Sequence, residues 1–372
     1  MYPTRLRLAS LASALVTLGC GCGAGHPGAP DGGGRLEPDA GPRPAALFAP
    51  IPADLRLAVQ EGDPGGIPSV HHDLAVLEVV ALGPERRVVS FVAPVAYVDV
   101  APASPVDRLY HQASFACDGD GGPFTVMEPI DGKVSRSISQ IQNLLANGDH
   151  VLSPRAIVAF PSAGTYTCTA RYALRTSYDF TDGVDRVVTG EGGGLAISAP
   201  LAPWARQCFW PGSIARQPAH CAYPAPAVDA LIEFGASRDR TPIDDVVVPH
   251  GATAIVHADG YLTTCSGTGG AGAELCPPTS SDRSVVRSRI VVSPDAGTPP
   301  ACLPEVTGSD AVWKTISRRV HHAPIYNRIH LTAPSDPACA NRYAIHHELT
   351  VTSGAPVLVH ANGTVLSVTE AD

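Results

Sequence analysis

Charged residues are scarce in this chain of 372 residues, at 16%, whereas an average globular protein has about 25%. Lysine is almost absent, since Lys133 and Lys314 are the only two, and acidic residues outnumber basic ones by 35 to 26. The net charge of −9 argues against nucleic acid and against an anionic membrane surface as partners. With 36 prolines and 36 glycines, long helices are excluded too, because both residues destabilise helix interiors.

The chain also lacks an apolar run long enough to cross a membrane. Its N-terminal apolar stretch, residues 8–19, follows Arg5 and Arg7 and falls short of the ~20 residues that a transmembrane helix needs. A short positive region followed by such a stretch is typical of a signal peptide, which we assign to residues 1–19. The protein is therefore expected to be exported.

The apolar stretch ends in Thr17-Leu18-Gly19-Cys20, which resembles the lipobox of bacterial lipoproteins. The resemblance implies that Cys20 is diacylated and becomes the mature N-terminus. The membrane would then be a partner through the lipid anchor, with the protein facing outward from the cell envelope, since two acyl chains anchor stably. The alternative is an ordinary signal peptide cleaved a few residues later, which would discard Cys20 and Cys22 and leave a fully secreted protein.

Two sequence patterns occur twice in the chain. CDGDGG at 117–122 recurs as CSGTGG at 265–270, and CTARYAL at 168–174 recurs as CANRYAI at 339–345. The second match continues at a fixed offset, so that Val188 aligns with Val359, Gly192 with Gly363 and Leu195 with Leu366. Ordered agreement of this kind predicts an internal duplication.

The repeats divide the chain into predicted domains. One copy spans residues 69–200 and the other spans 236–372, with a connector at 201–235. The Gly- and Pro-rich residues 20–68 are predicted to form a disordered tether, because they offer little to bury.

Each copy is predicted to consist of short strands separated by Gly and Pro. One helix is expected at 137–146, where Ile138, Ile141, Leu144 and Leu145 would share a face. Residues 357–360 and 364–368 are expected to form a hairpin around Asn362-Gly363, which suits a type I′ turn. In the first copy, strands are expected at 74–80, 88–92, 96–100, 110–117, 157–160, 166–175 and 186–189.

Ten cysteines are present, and those outside the signal peptide and tether are even in number, so four disulfides are the default for an exported chain. The duplication predicts that Cys117–Cys168 and Cys265–Cys339 are the same bridge made twice. Proximity in sequence then predicts Cys208–Cys221 and Cys276–Cys302.

Gly164-Thr165-Tyr166-Thr167-Cys168 resembles the tyrosine corner of immunoglobulin-like domains, in which a Tyr lies two residues before the second Cys of the bridge between the sheets. The spacing from Cys117 also suits that bridge. The resemblance implies two disulfide-stapled immunoglobulin-like β-sandwiches. The predicted fold class is therefore all-β.

A search for catalytic or metal-binding motifs yields no match that we accept. GTGGAG at 267–272 precedes Pro277 and Pro278 rather than a helix, and HHELTV at 346–351 lacks the second zinc-binding His and is predicted to be a strand. Asp118 and Asp120 could bind calcium only as a private site of the first copy, and a metal site of His330 with His346 or His347 is less favoured than solvent-facing histidines. We therefore expect no catalytic residue, no metal and no cofactor.

Arg171 and Arg342 stand at matching places in the two copies. They could bind a carboxylate or sulfate twice, but the favoured role is structural, closing the end of each sandwich through backbone carbonyls or an acidic partner.

The connector concentrates aromatic residues, which are only 6% of the chain. Trp204, Phe209, Trp210 and Tyr223 surround the predicted Cys208–Cys221 loop and form a candidate binding surface, or else fill the interface between the copies. The leading hypothesis is a non-enzymatic surface lipoprotein that acts as a binding, adhesion or envelope-structural module for a protein or glycan ligand. The alternative is a secreted hydrolase or carbohydrate-active accessory protein with an unrecognised site.

Overall fold

All regular structure is β-strand, apart from one 3-10 turn at Pro300–Cys302, in the part of the chain that is described. The computed structural model describes residues 46–58, 72–98, 109–119, 137–144, 149–176, 186–209, 221, 230–232, 235, 237–265, 276–277, 279, 281–317, 320–321, 323–359 and 364–371. Arg43–Asp372 form one compact unit. The all-β class is thereby confirmed. The predicted signal peptide and Cys20 lie outside the described residues.

The first half forms two antiparallel sheets. In sheet I, β4 lies between β10 and β11 on one edge and β7 and β8 on the other, while β1 pairs with β11 and β2 with β10. Sheet II has the order β3-β9-β5-β6. The strands are β1 (Leu47–Pro50), β2 (Arg56–Ala58), β3 (His72–Ala81), β4 (Glu85–Val98), β5 (Leu109–Gly119), β6 (Ser137–Leu144), β7 (Asp149–Leu152), β8 (Arg155–Phe160), β9 (Gly164–Thr176), β10 (Arg186–Thr189) and β11 (Gly194–Ile197).

The second half forms two further sheets. Sheet III has the order β12-β23-β15-β20-β17, with β22 also on β15 and β13 on β22; sheet IV has the order β14-β21-β16-β18. The strands are β12 (Arg206–Phe209), β13 (Ala230–Ile232), β14 (Ser237–Val247), β15 (Thr253–Thr264), β16 (Arg283–Pro294), β17 (Glu305–Gly308), β18 (Val312–Ser317), β19 (Val320–His321, paired with β6 of sheet II), β20 (Ala323–Thr332), β21 (Arg342–Gly354), β22 (Val357–Val359) and β23 (Val365–Glu370).

The two halves share one strand order. The order β3-β9-β5-β6 in sheet II corresponds to β14-β21-β16-β18 in sheet IV, and β4 is flanked in sheet I as β15 is in sheet III. This shared order supports the predicted duplication, which itself remains a prediction. The match that begins at Cys168 and Cys339 falls at corresponding strands, because residues 171–174 lie in β9 and residues 342–345 begin β21, just after Cys339. The match at Cys117 and Cys265 does not, because Cys117 lies in β5 whereas Cys265 follows β15, the counterpart of β4.

The boundaries of the halves differ from those predicted. β1 and β2 lie within the predicted tether, 20–68, and pair with β11 and β10 of sheet I. β12 and β13 lie within the predicted connector, 201–235, and pair with β23 and β22 of sheet III. Both segments carry apolar residues that complete a sheet edge, so neither is only a linker.

The predicted helix at 137–146 is wrong. β6 occupies Ser137–Leu144 and pairs residue by residue with β5 from Leu109 to Ala116. Ser and Asn are weak helix formers, and pairing with the adjacent edge of β5 overrides a marginal helix pattern.

The predicted hairpin at 357–368 is also wrong. β22 and β23 both pair antiparallel with β15, at Leu262–Thr264 and Ala254–Asp259 respectively, so they follow one another along the same edge. β10 and β11 do the same along β4. The link between β10 and β11 needs glycine, because Gly192 has φ +78° and a Cβ at Gly194 would overlap the Phe48 ring.

All eight cysteines outside the tether are in disulfides. Cys117–Cys168 and Cys208–Cys221 are the predicted pairs. The other two predicted pairs are wrong, because the bridges are Cys265–Cys276 and Cys302–Cys339. Cys265 follows a strand of sheet III, and Cys339 precedes a strand of sheet IV. Each of these two cysteines bonds a cysteine outside the strands at the same end of the sandwich.

The Cys117–Cys168 bridge lies within one sheet. These residues are direct partners in the β5–β9 pairing, with Cα atoms 3.9 Å apart. The bridge between sheets that the immunoglobulin-like resemblance implies is therefore wrong. The tyrosine contact of that resemblance is present, since buried Tyr166 donates from its hydroxyl to the carbonyl oxygen of Ser162 at 3.1 Å.

The apolar core lies between the two sheets of each half. The first half has one large cluster, which includes Phe91, Phe115 and Tyr166. The second half has two clusters. They are separated by a buried polar layer of Ser288, Asn327 and His347, in which Ser288 Oγ lies 2.8 Å from His347 Nε2.

Candidate functional site

A short segment, Leu201 to Gln207, joins the two halves through hydrogen bonds. The Arg86 guanidinium of β4 donates to the carbonyl oxygens of Pro203 at 3.0 Å and Ala205 at 3.1 Å. The Leu201 N–H donates to the Arg86 carbonyl oxygen at 2.7 Å. These bonds hold the segment against the outer side of sheet I.

Gln207 completes the junction at β8. Its Oε1 accepts from the Ile157 N–H at 2.6 Å, and its Nε2 donates to the Ile157 carbonyl oxygen at 3.2 Å. The side-chain amide thus bonds β8 as a neighbouring strand would. Val88, Ile157 and Ala205 are buried together beside it, with Leu201 packed against them. The junction therefore combines apolar burial with satisfied backbone groups.

A cleft of about 390 Å³ lies where sheet I faces sheet III. The Ser153 N–H donates to the Tyr326 hydroxyl oxygen across the two halves at 3.1 Å. The volume of the cleft is within the range of small-molecule sites. The lining residues are Ser90, Val92, Ser153 and Arg155 from the first half, and His257, Ser309, Val312, Tyr326, Asn327 and Arg328 from the second.

The cleft carries positive charge in an acidic protein. Arg155 and Arg328 supply two guanidinium groups, and the lining contains no carboxylate residue. Guanidinium groups bind carboxylate, sulfate and phosphate oxygens through paired N–H donors. The cleft is therefore suited to an anionic group.

His257 is held beside a buried carboxylate. His257 and Asp259 are two residues apart on β15, so they share the face that points away from the core. His257 Nε2 lies 2.7 Å from Asp259 Oδ1, which forms an ion pair when the imidazole is protonated. Asp259 is 2% exposed, so it positions His257 rather than meeting a ligand. His257 Nδ1, His257 Nε2 and Asp259 Oδ1 are all buried without a hydrogen-bond partner among the described residues, so the contact between the two side chains is electrostatic.

The predicted aromatic surface is not assembled in the part of the chain that is described. Trp204 is half-buried and packs against the core of the second half. Phe209 is the last residue of β12, and Trp210 and Tyr223 lie outside the described residues. The segment around Trp204 fills the junction through Leu201, Ala205 and Gln207 instead.

The described histidines and aspartate of the other sequence motifs lie on separate strands of the fold. HHELTV at 346–351 lies on β21, as predicted, with His347 buried and His346 half-exposed. His330 lies on β20 of sheet III, and Asp118 is exposed near the end of β5. Asp120 and the GTGGAG segment are outside the described residues. No group of three or more His, Cys, Asp or Glu side chains could hold a metal ion within the described ranges.

Arg171 and Arg342 each pair with an aspartate of the neighbouring strand. Arg171 Nε lies 2.9 Å from Asp73 Oδ1, and Arg342 Nε lies 3.0 Å from Asp245 Oδ1. The favoured structural role with an acidic partner therefore fits. Arg87, which sequence reasoning missed, makes the contacts to backbone carbonyls: it is 1% exposed and reaches the Ser198 and Val80 carbonyl oxygens at 3.4 Å.

Sequence reasoning also missed every cleft residue. Arg155, His257 and Arg328 lie on three strands far apart in sequence, and no motif connects them. The one local signal for the cleft was the pattern His257-x-Asp259, which places two titratable side chains on the same face of a strand because alternate residues share a face.

No protein-family model and no curated protein matches this chain. Within the described residues there is no helix of the length and apolarity that crossing a membrane would require.

Proposed function

We propose that this protein is a non-enzymatic binding module of the bacterial cell envelope, and that its cleft binds an acidic ligand. The observation that carries the proposal is the pair Arg155 and Arg328, placed with His257 around one cleft in a chain of net charge −9. Positive charge confined to one cleft of an acidic protein makes binding selective, because an anionic ligand is attracted to the cleft and repelled by the rest of the surface.

The ligand class follows from the size and donors of the cleft. About 390 Å³ accommodates one or two sugar rings or a short peptide end, and guanidinium groups with Ser and Tyr hydroxyls suit carboxylate or sulfate oxygens. We therefore propose an acidic glycan or an acidic peptide segment as the ligand.

The location is supported by covalent chemistry. Four disulfides indicate an oxidising environment outside the cytoplasm. The lipobox-like residues before Cys20 favour a lipid-anchored protein facing outward. If Cys20 carries the lipid, Cys20→Ser will release the protein from the membrane fraction, whereas retention of the variant there would contradict the anchor.

Glycan and peptide arrays probed with the full chain test the binding function. Acidic ligands should bind and their neutral counterparts should not, with binding weakened by salt. Arg155→Gln and Arg328→Gln should each weaken binding about tenfold, as the loss of one charge-assisted contact of ~1.4 kcal/mol predicts. Arg289→Gln is the matched control, because Arg289 lies on sheet IV away from the cleft. Unchanged binding in both cleft variants would overturn the proposal.

The predicted aromatic surface is tested in the same assay. Trp204→Ala and Trp210→Ala should leave binding at the cleft unchanged, apart from any loss of folded protein. Loss of binding with an intact fold would move the ligand site to the connector.

The second candidate function is a secreted hydrolase. The contact of His257 with Asp259 favours it, since a histidine positioned by a carboxylate is a common general base. Hydrolysis of ester, peptide or glycoside substrates that is abolished by His257→Ala would establish this alternative. The binding proposal predicts that the wild-type protein shows no such turnover.

A further inference from the structure

Asn327, which lines the cleft, keeps a hydrogen-bond acceptor without a partner. The residue is 2% exposed, and its Oδ1 is buried and accepts no hydrogen bond from the described residues. A buried polar atom without a partner lowers the stability of a protein. Most buried polar atoms are therefore paired, and each exception in a native structure needs a reason. At the wall of a cleft, a ligand that donates to the atom is such a reason.

The fold holds the Asn327 amide in one orientation. Its Nδ2 donates to the Ser288 carbonyl oxygen of β16 at 3.1 Å. A half-turn of the amide would exchange its two ends and place Oδ1 against this carbonyl oxygen, and neither oxygen can donate a hydrogen bond. Oδ1 is therefore fixed as an acceptor that only an N–H or O–H group from elsewhere can satisfy.

The end of β17 explains why the cleft reaches Asn327. The pairing of β17 with β20 ends at Gly308, which is opposite Ile329. Gly308 has φ +124°, a conformation that favours glycine, and here the chain leaves the edge of β20. Ser309 follows directly and lines the cleft together with Asn327. The cleft therefore extends from the guanidinium groups to the buried polar layer of the second half.

A ligand that satisfies the whole cleft needs two kinds of group. The guanidinium groups of Arg155 and Arg328 call for an anion, whereas Asn327 Oδ1 calls for a hydrogen-bond donor. An acidic side chain of a peptide carries only CH₂ groups beside its carboxylate, so its nearest donors are backbone N–H groups several bonds away. A uronic acid carries hydroxyls on the ring carbons next to its carboxylate. These hydroxyls also suit the hydroxyls of Ser90 and Ser309.

We propose that the cleft binds an acidic sugar unit of a glycan, with Arg155 and Arg328 on its carboxylate and Asn327 Oδ1 accepting from a ring hydroxyl. This inference rests on the proposed binding of an acidic ligand at the cleft, and it selects a glycan over an acidic peptide. Asn327 is the residue that determines this selectivity.

Isothermal titration calorimetry of the unaltered full chain, with its disulfides intact, compares three kinds of probe. The probes are disaccharides of glucuronate, galacturonate and mannuronate, the matching neutral hexose disaccharides, and a dipeptide of two glutamates with both ends blocked. The dipeptide has the two carboxylates of a uronate disaccharide but no hydroxyl. At least one uronate disaccharide should bind about tenfold more tightly than the dipeptide, as one further hydrogen bond to a buried acceptor predicts. The neutral disaccharides should bind most weakly.

The outcomes separate this inference from the function on which it rests. If the dipeptide binds as tightly as every uronate disaccharide, the hydroxyls contribute nothing, and the inference is overturned while the binding of an acidic ligand stands. If no acidic ligand binds, here or on the arrays, the proposed function fails and the inference fails with it. Because these comparisons use the unaltered chain, they do not depend on the folding of a variant.

Variants assign the selectivity to Asn327. Asn327→Leu removes the acceptor and should weaken binding of the uronate disaccharide about tenfold, while binding of the dipeptide stays unchanged. Arg328→Gln should weaken binding of both ligands. Asn341→Leu is the matched control, because Asn341 precedes β21 and does not line the cleft. Equal weakening of both ligands by Asn327→Leu, in a protein whose circular dichroism shows it to be folded, would overturn the role of Asn327.

Discussion

Asp73 Oδ1 accepts a hydrogen bond from Arg171 Nε at 2.9 Å, across the pairing of β3 with β9. The second half repeats this contact between Asp245 and Arg342, where two guanidinium nitrogens reach the two carboxylate oxygens at 3.0 and 3.2 Å. The first contact links β3 to β9, and the second links β14 to β21, which are the corresponding strands of the other sandwich. Because the contact occurs at the same position in both halves, we infer that it aligns the edge strand with its neighbour. Its side chains are exposed to solvent, which limits what the pair can contribute to the free energy of unfolding.

The Asp73–Arg171 pair should contribute little to the free energy of unfolding. Its side chains are 57% and 43% exposed, and exposed pairs contribute about 0.2–1 kcal/mol. A double-mutant cycle with Asp73→Asn and Arg171→Gln, followed by urea denaturation, should give a coupling energy in that range that falls further in high salt. A coupling above ~2 kcal/mol would show that solvent does not screen the pair.

Removal of Glu85 should be far more damaging. Arg87 is buried, and its Nε lies 2.6 Å from Glu85 Oε1. Glu85→Gln leaves a buried guanidinium without its counter-charge, which costs roughly 3–5 kcal/mol. Urea denaturation measures this cost, and Asp73→Asn serves as the exposed control. A loss no larger than in the control would mean that water reaches Arg87.

Two buried tyrosines should respond differently to loss of their hydroxyls. Tyr166→Phe removes the hydrogen bond to the Ser162 carbonyl oxygen and should cost about 1 kcal/mol. The Tyr343 hydroxyl is buried without a hydrogen-bond partner among the described residues, so Tyr343→Phe should be neutral or stabilising. Thermal unfolding of the two variants compares them. Equal destabilisation would indicate a partner for Tyr343.

Lys314 should make stability rise with pH. Burial lowers the pKa of its amine below the ordinary value of 10.5, so the folded protein releases this proton before the unfolded chain does. The free energy of unfolding therefore increases between the lowered pKa and 10.5 and levels off above it. Denaturation of the wild type and of Lys314→Met from neutral to alkaline pH measures the difference.

Lys314→Met should be more stable than the wild type at neutral pH and should lose this advantage as pH rises. Lys314→Arg is the matched control, because guanidinium stays charged throughout and cannot give the rise. Parallel pH profiles for all three proteins would contradict the burial of the amine.

Non-reducing peptide mapping should find Cys265 linked to Cys276 and Cys302 linked to Cys339. Their Cα atoms are 5.2 Å apart in both pairs, a normal distance for a disulfide. A Cys265–Cys339 peptide would contradict the arrangement of the second sandwich. Cys117–Cys168 is the internal control, since the duplication and the structure agree on it.

Local patterns predicted strands well where a strand is long and apolar. The predicted strand at 110–117 lies within β5, and that at 166–175 lies within β9. The segment at 137–144 was misread because its apolar residues fit a helix face, and only the adjacent edge of β5 makes it a strand. The cleft could not be predicted at all, because Arg155, His257 and Arg328 meet through the packing of sheet I against sheet III.

The sequence by itself predicted the all-β class, through its proline and glycine content and the short apolar segments that these residues separate, and it predicted that eight cysteines would be bridged. Tertiary structure alone decided which loop cysteines pair in the second half, that β22 and β23 share one edge of β15, and where the charged groups converge. The physical reason is the distance along the chain over which each effect acts. Backbone propensity and alternation act over a few residues, whereas a disulfide, a shared strand edge or a cleft depends on which distant segments become neighbours when the sheets pack.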